Sequence, residues 1–107
     1  MSIDNRKVVD AVAYENEKLI LQLYDHLEFT EDFEKDHMFM LQDKLNVYIW
    51  YVDSKQYKDT YEDKDFSSFE IQIKFKYQPS DFCIHYLQHV NEKLESLNIA
   101  VIYDVTG

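Results

Sequence analysis

Glycine and proline occur once each, at Gly107 and Pro79, and cysteine once, at Cys83. So few turn formers argue against a loop-rich sandwich, and the ample hydrophobic content argues against disorder. A single cysteine excludes an intrachain disulfide, and a lone glycine at the last position excludes a Gly-rich loop that cradles phosphates. No apolar run approaches the length needed to span a bilayer, so no membrane association is expected. The opening Met1-Ser2-Ile3-Asp4-Asn5-Arg6-Lys7 lacks the apolar stretch of a secretion signal, and a cytoplasmic location is the expectation.

Positive charge is also scarce. Eleven Lys and Arg stand against twenty-one Asp and Glu, a formal charge of −10. That sign is wrong for gripping a phosphate backbone, where affinity comes from displaced counterions, so direct nucleic-acid binding is disfavoured. An acidic surface suits a basic protein partner, cations, or solvation alone.

What the chain has is apolar and aromatic mass. Hydrophobic residues make up 46% of 107 positions, with nine Tyr, seven Phe and one Trp. This is enough for one core, hence a single domain over residues 1–107, without help from disulfides or metals.

The pattern of that mass predicts the elements. Residues 8–14 read as a strand, Glu15-Asn16-Glu17 as a turn, and Lys18 to Tyr24 as the returning strand of a hairpin. Leu19, Leu21 and Leu23 share its core face, while Lys18, Ile20, Gln22 and Tyr24 look the other way. An acidic run, Asp25 to Asp36, then leads into a helix from about His37 to Ser54, with Thr30 as a candidate N-cap and Glu31, Asp32 and Glu34 suited to the positive end of the helix dipole. Met38, Leu41, Leu45, Ile49 and Val52 form its core stripe.

Residues 53–68 read as a helix tail and a polar loop that carries Tyr57, Tyr61 and Phe66. The run from Phe69 to Tyr77 alternates strictly, with Phe69, Ile71, Ile73, Phe75 and Tyr77 inward. Pro79 ends the strand, Ser80 caps a second helix, and Cys83, Leu87, Val90, Leu94 and Leu97 form its core stripe, which makes Cys83 a small buried hydrophobe. Asn98 closes the helix and Ile99 to Tyr103 supply the last strand. The order ββαβαβ, with right-handed crossovers, predicts an α+β fold: one four-stranded mixed sheet with two helices packed on one face.

Several segments carry a likeness: Ser2-Ile3-Asp4-Asn5 with Val8-Val9-Asp10, Asp25-His26-Leu27-Glu28-Phe29, Leu41-Gln42-Asp43-Lys44-Leu45-Asn46-Val47-Tyr48, and Ile73-Lys74-Phe75-Lys76-Tyr77. Through them the chain resembles a family of short, uncharacterised bacterial proteins. The resemblance spans most of the chain. It implies the same fold and a bacterial origin, and it brings no activity with it.

Chemistry-bearing residues are few. His85 and His89 stand four apart on the second helix, a spacing that can put two imidazoles on one metal ion, with Glu92 a turn further on. The intervening Tyr86-Leu87-Gln88 lacks the glutamate base of an HExxH protease, so these two are weak metal candidates beside the alternative of solvent-facing polar residues. Asp25 beside His26 invites a catalytic reading, but neighbours at a strand end point apart, and a structural turn is preferred. Asp10 reads as a polar residue on the exposed face of the hairpin. No catalytic residue and no cofactor is expected, and the chain is read as a non-enzyme.

The first helix is apolar on more than its core side: Phe39, Met40, Val47, Trp50 and Tyr51 lie off the stripe. Aromatic and Met side chains are enriched in interface cores, so these five are the candidate partner interface of an interaction module, as a homodimer or with another protein. The rival structural reading has the loop with Tyr57, Tyr61 and Phe66 folding back over them. Two other functions are weighed: a small metal-dependent or histidine-based enzyme or sensor built on His26, His85 and His89, and an immunity-like inhibitor whose acidic run neutralises a basic partner.

Overall fold

The computed structural model describes residues 11–59, 61–62 and 65–105. The first strand as read from sequence begins at Val8; its residues 8–10, and Asp10 with them, lie outside the described residues. From Ala11 the order is β1 (Ala11–Glu15), β2 (Lys18–Asp25), α1 (Glu34–Asp53), β3 (Ser68–Phe75), α2 (Asp81–Leu94) and β4 (Ile99–Val105), with short 3₁₀ turns at Gln56–Asp59 and Glu95–Leu97. The sheet order is β1-β2-β3-β4, antiparallel between β1 and β2 and parallel across the other two pairs. This is the expected ββαβαβ mixed sheet.

The hairpin turns on Asn16, whose φ of 55° is the left-handed conformation that Asn tolerates better than most residues. Period two then decides the faces. Leu19, Leu21 and Leu23 on β2, Ile71, Ile73 and Phe75 on β3, and Ile99 and Val101 on β4 share one core with the inward residues of both helices. The opposite face carries a polar ladder: Tyr24 Oη donates to Gln22 Oε1 at 2.9 Å, Gln22 Nε2 to Gln72 Oε1 at 3.3 Å, and Gln72 Nε2 to Glu70 Oε2 at 2.6 Å. Lys74 pairs with Asp104 at 2.9 Å on the same face.

Several boundaries differ from the sequence reading. α1 begins at Glu34, three residues before the expected His37, and its N-cap is Phe33, with no side-chain cap. Thr30 lies before that cap, its N–H donating to the Glu28 carbonyl and its own carbonyl accepting from Phe33 N–H, both at 3.2 Å, so it is not the N-cap. The earlier start puts His37 inside the first turn. The core stripe is also wider than expected: His37, Lys44 and Tyr48 are buried with Met38, Leu41, Leu45 and Val52, and Tyr48 Oη donates to the Gln22 carbonyl. A helix laid across a sheet of this width buries close to half its circumference, and not one row.

β3 stops at Phe75, so Tyr77 is exposed and not an inward strand residue. Ser80 caps α2, its Oγ accepting from Cys83 N–H at 3.2 Å. Cys83, Leu87 and Leu94 are buried as read, but Leu97, in the 3₁₀ turn beyond the end of α2, is exposed. Asn98, at φ 59°, closes the turn and its N–H returns to the Glu95 carbonyl at 3.0 Å.

Candidate functional site

Asp25 ends β2 with the same inward parity as Leu19, Leu21 and Leu23, and so delivers a carboxylate to the core side of the sheet. His37, in the first turn of α1, comes down on it. Nε2 of His37 and Oδ2 of Asp25 are 2.6 Å apart, and neither side chain retains any solvent exposure. The other carboxylate oxygen accepts from Leu27 N–H at 3.1 Å, and the Asp25 carbonyl accepts from Lys76 N–H at 2.9 Å. With the carboxylate taking both donors, the imidazole carries its proton on Nε2. Phe29 stacks on the ring, centroids 3.9 Å apart, and packs edge-on to Phe75.

The pair therefore joins the end of a strand, the connection after it and the start of a helix. The expected turn role of Asp25 is present in its bond to Leu27, and His26 is exposed, pointing away from its neighbour as adjacent strand residues do. His37, Asp25's actual partner, was missed. The available signal was parity: an acid continuing the inward row of β2 has to find a donor.

Nδ1 of His37 is buried and has no hydrogen-bond partner among the described residues. Cys83 lies close enough that the charges of Asp25 and Glu34 act on it; burial first, then those carboxylates, push its thiol up to about 12. A thiol so placed stays protonated at neutral pH and is a poor nucleophile. A carboxylate-oriented histidine resembles the base of a hydrolase, but this one is sealed, and the sulfur near it is held inactive.

Outside the pair lies a groove between the N-terminal parts of α1 and α2, about 390 Å³ in volume, lined by Glu31, Glu34, Lys35, Met38, Phe39, Gln42, Phe82 and Tyr86. Phe39 is 51% exposed and Phe82 63%.

Of the five interface candidates, Phe39 and Trp50 are exposed, Trp50 at 57%. Met40, Val47 and Tyr51 are half-buried, and Met40 and Tyr51 pack against the core. The aromatic loop does fold back, but toward the sheet. Tyr57 packs on Phe66 at 5.5 Å and Phe69 at 5.7 Å, Tyr61 on Tyr14 at 5.2 Å, and Tyr51 of the helix joins them at 6.5 Å from Tyr57. Partial burial raises the Tyr51 phenol pKa, with Tyr61 and Asp59 adding to it.

His85 and His89 are both exposed, His89 lying 4.0 Å from Glu92. Among the described residues no three His, Cys, Asp or Glu side chains stand close enough to hold a metal ion. No helix is long and apolar enough to cross a membrane, again among the described residues.

The fold and surface define a small α+β domain with a sealed Asp–His pair and an open apolar groove beside it. The chain belongs to a family of unknown function, DUF6572, whose family model matches residues 1–107. Comparison with curated proteins and with solved structures found no match.

Proposed function

We propose that this protein is a non-catalytic interaction module whose contact surface is the outward line of α1. The observation that carries the reading is the joint exposure of Phe39 and Trp50. Eleven positions make about three helical turns, so the two aromatics lie on one side of the helix, separated by Gln42, Asp43 and Asn46, all exposed. The core is already supplied by the opposite side of the helix, so these rings add nothing to its packing. Large aromatics left in water on an otherwise well-formed helix mark a contact surface. The sealed histidine and the protonated Cys83 support a binding role over a catalytic one.

The occupant is a second copy of the chain or another protein. Solution mass by light scattering, on wild type and on Trp50→Asp, tests the first case. A dimeric wild type and a folded monomeric variant are expected if α1 self-associates, because a carboxylate in an apolar contact has no partner there. A variant that stays dimeric puts the contact elsewhere and overturns the reading. A monomeric wild type removes the homodimer and leaves the surface to a different chain.

A further inference from the structure

At its N-terminal end the outward line of α1 ceases to be a convex helix face and becomes one wall of the groove that α2 closes. Met38 and Phe39 supply apolar surface from α1, and Phe82 and Tyr86 from α2. Its 390 Å³ falls within the range of about 300–1,000 Å³ in which concave sites bury a ligand group. Glu31 and Glu34 line it against Lys35; Asp36 and Asp81 are exposed on the first turns of α1 and α2, and Asp32 is exposed just before α1. The two helix N-termini contribute about half a positive charge each. Counting all five carboxylates against the one lysine, the charge around the two helix starts that flank the groove is negative.

We propose that this groove docks an amphipathic segment of another protein that carries Lys or Arg beside its apolar residues. The inference rests on the interaction reading and names its partner by chemistry. An apolar helix face with anchors at i, i+3, i+4 and i+7 fills an apolar groove, and basic residues flanking those anchors meet the acidic rim. A second copy of this chain is the wrong complement. It carries a net −10, and the exposed line of α1 offers Asp43 and Asp53 against the single exposed Lys35, Lys44 being buried. An anionic lipid surface meets the same repulsion.

The test uses the full chain, ¹⁵N-labelled, and a synthetic amphipathic helical peptide with Leu anchors and flanking Lys and Arg, beside a twin in which every Lys and Arg is Glu. The basic peptide is expected to shift the amides of Met38, Phe39, Phe82 and Tyr86. The acidic twin should bind at least about tenfold more weakly. Phe82→Asp, at an exposed position that leaves the fold intact, should abolish binding. Glu31→Gln with Glu34→Gln should weaken it about tenfold and flatten its salt dependence.

Equal binding of the twin overturns the proposal, as does a failure of the basic peptide to shift the groove. Concentration-dependent shifts at these same residues without peptide overturn it in favour of self-association. Shifts confined to the Trp50 end overturn the groove while leaving the interaction module standing. No shift anywhere along α1, with a monomeric wild type, overturns both.

Discussion

The side-chain amide of Asn91, on α2, closes both outward hydrogen bonds of the Val101 peptide in β4. Its Nδ2 donates to the Val101 carbonyl at 2.7 Å and its Oδ1 accepts from Val101 N–H at 2.6 Å. β4 is an edge of the sheet, and an unpaired edge invites another strand. The amide occupies the middle of that edge in place of a neighbouring chain. A strand pairing with that edge would have to displace the amide.

Asn91→Ala therefore has two expected effects. Two half-buried peptide groups lose their partner, at a cost of about 1–3 kcal/mol in urea denaturation. The edge also opens, so light scattering should show more self-association than wild type. A variant as stable and as monodisperse as wild type would mean that water replaces the amide without loss.

Asp25 and His37 tie β2 to α1 with no water between them. Asp25→Ala removes the acceptor from a buried imidazole and from Leu27 N–H, and is expected to destabilise by about 1–3 kcal/mol. Asp25→Asn keeps an acceptor and should cost less. Equal losses in the two variants would show that His37 requires the charge and not merely the hydrogen bond.

Cys83 predicts an alkaline limit. Its thiol ionises near 9.0 in the unfolded chain and is raised to about 12 in the folded one, so the unfolded chain loses the proton first. The stability linked to this group is fully present below about pH 9 and is lost as pH rises toward 12. Cys83→Ala should show a shallower fall over that window in denaturant midpoints. At mildly alkaline pH, iodoacetamide should label wild type no faster than the chain unfolds; fast labelling of the native protein would contradict the buried placement.

Lys55 stands at φ 61° just past the end of α1, where glycine is the usual residue. Lys55→Gly relieves the Cβ crowding of that conformation and is expected to raise stability by about 0.5–1 kcal/mol in thermal or urea unfolding. A loss instead would mean that the lysine side chain holds a contact worth more than the strain.

Much of this was legible in the residues themselves. The parity of Leu19, Leu21 and Leu23, the alternation through Ile71, Ile73 and Phe75, the Ser80 cap and the Asn98 stop are local features, and local sterics and periodicity decide them before any element meets another. The element order then leaves one economical sheet. Asp25 belonged to the same row, so its burial was available to parity even though its partner was not.

Tertiary structure alone decided how the helices settle on that sheet. His37 was placed twelve residues from Asp25 in sequence and 2.6 Å from it in space by the earlier start of α1 and the seating of its first turn on the end of β2. The same seating buried Lys44 and Tyr48, which no single stripe predicts, and brought Phe82 opposite Phe39 to form a groove. Periodicity says which side of an element is apolar; distances between elements follow from packing volume and crossing geometry, which are properties of the assembled core.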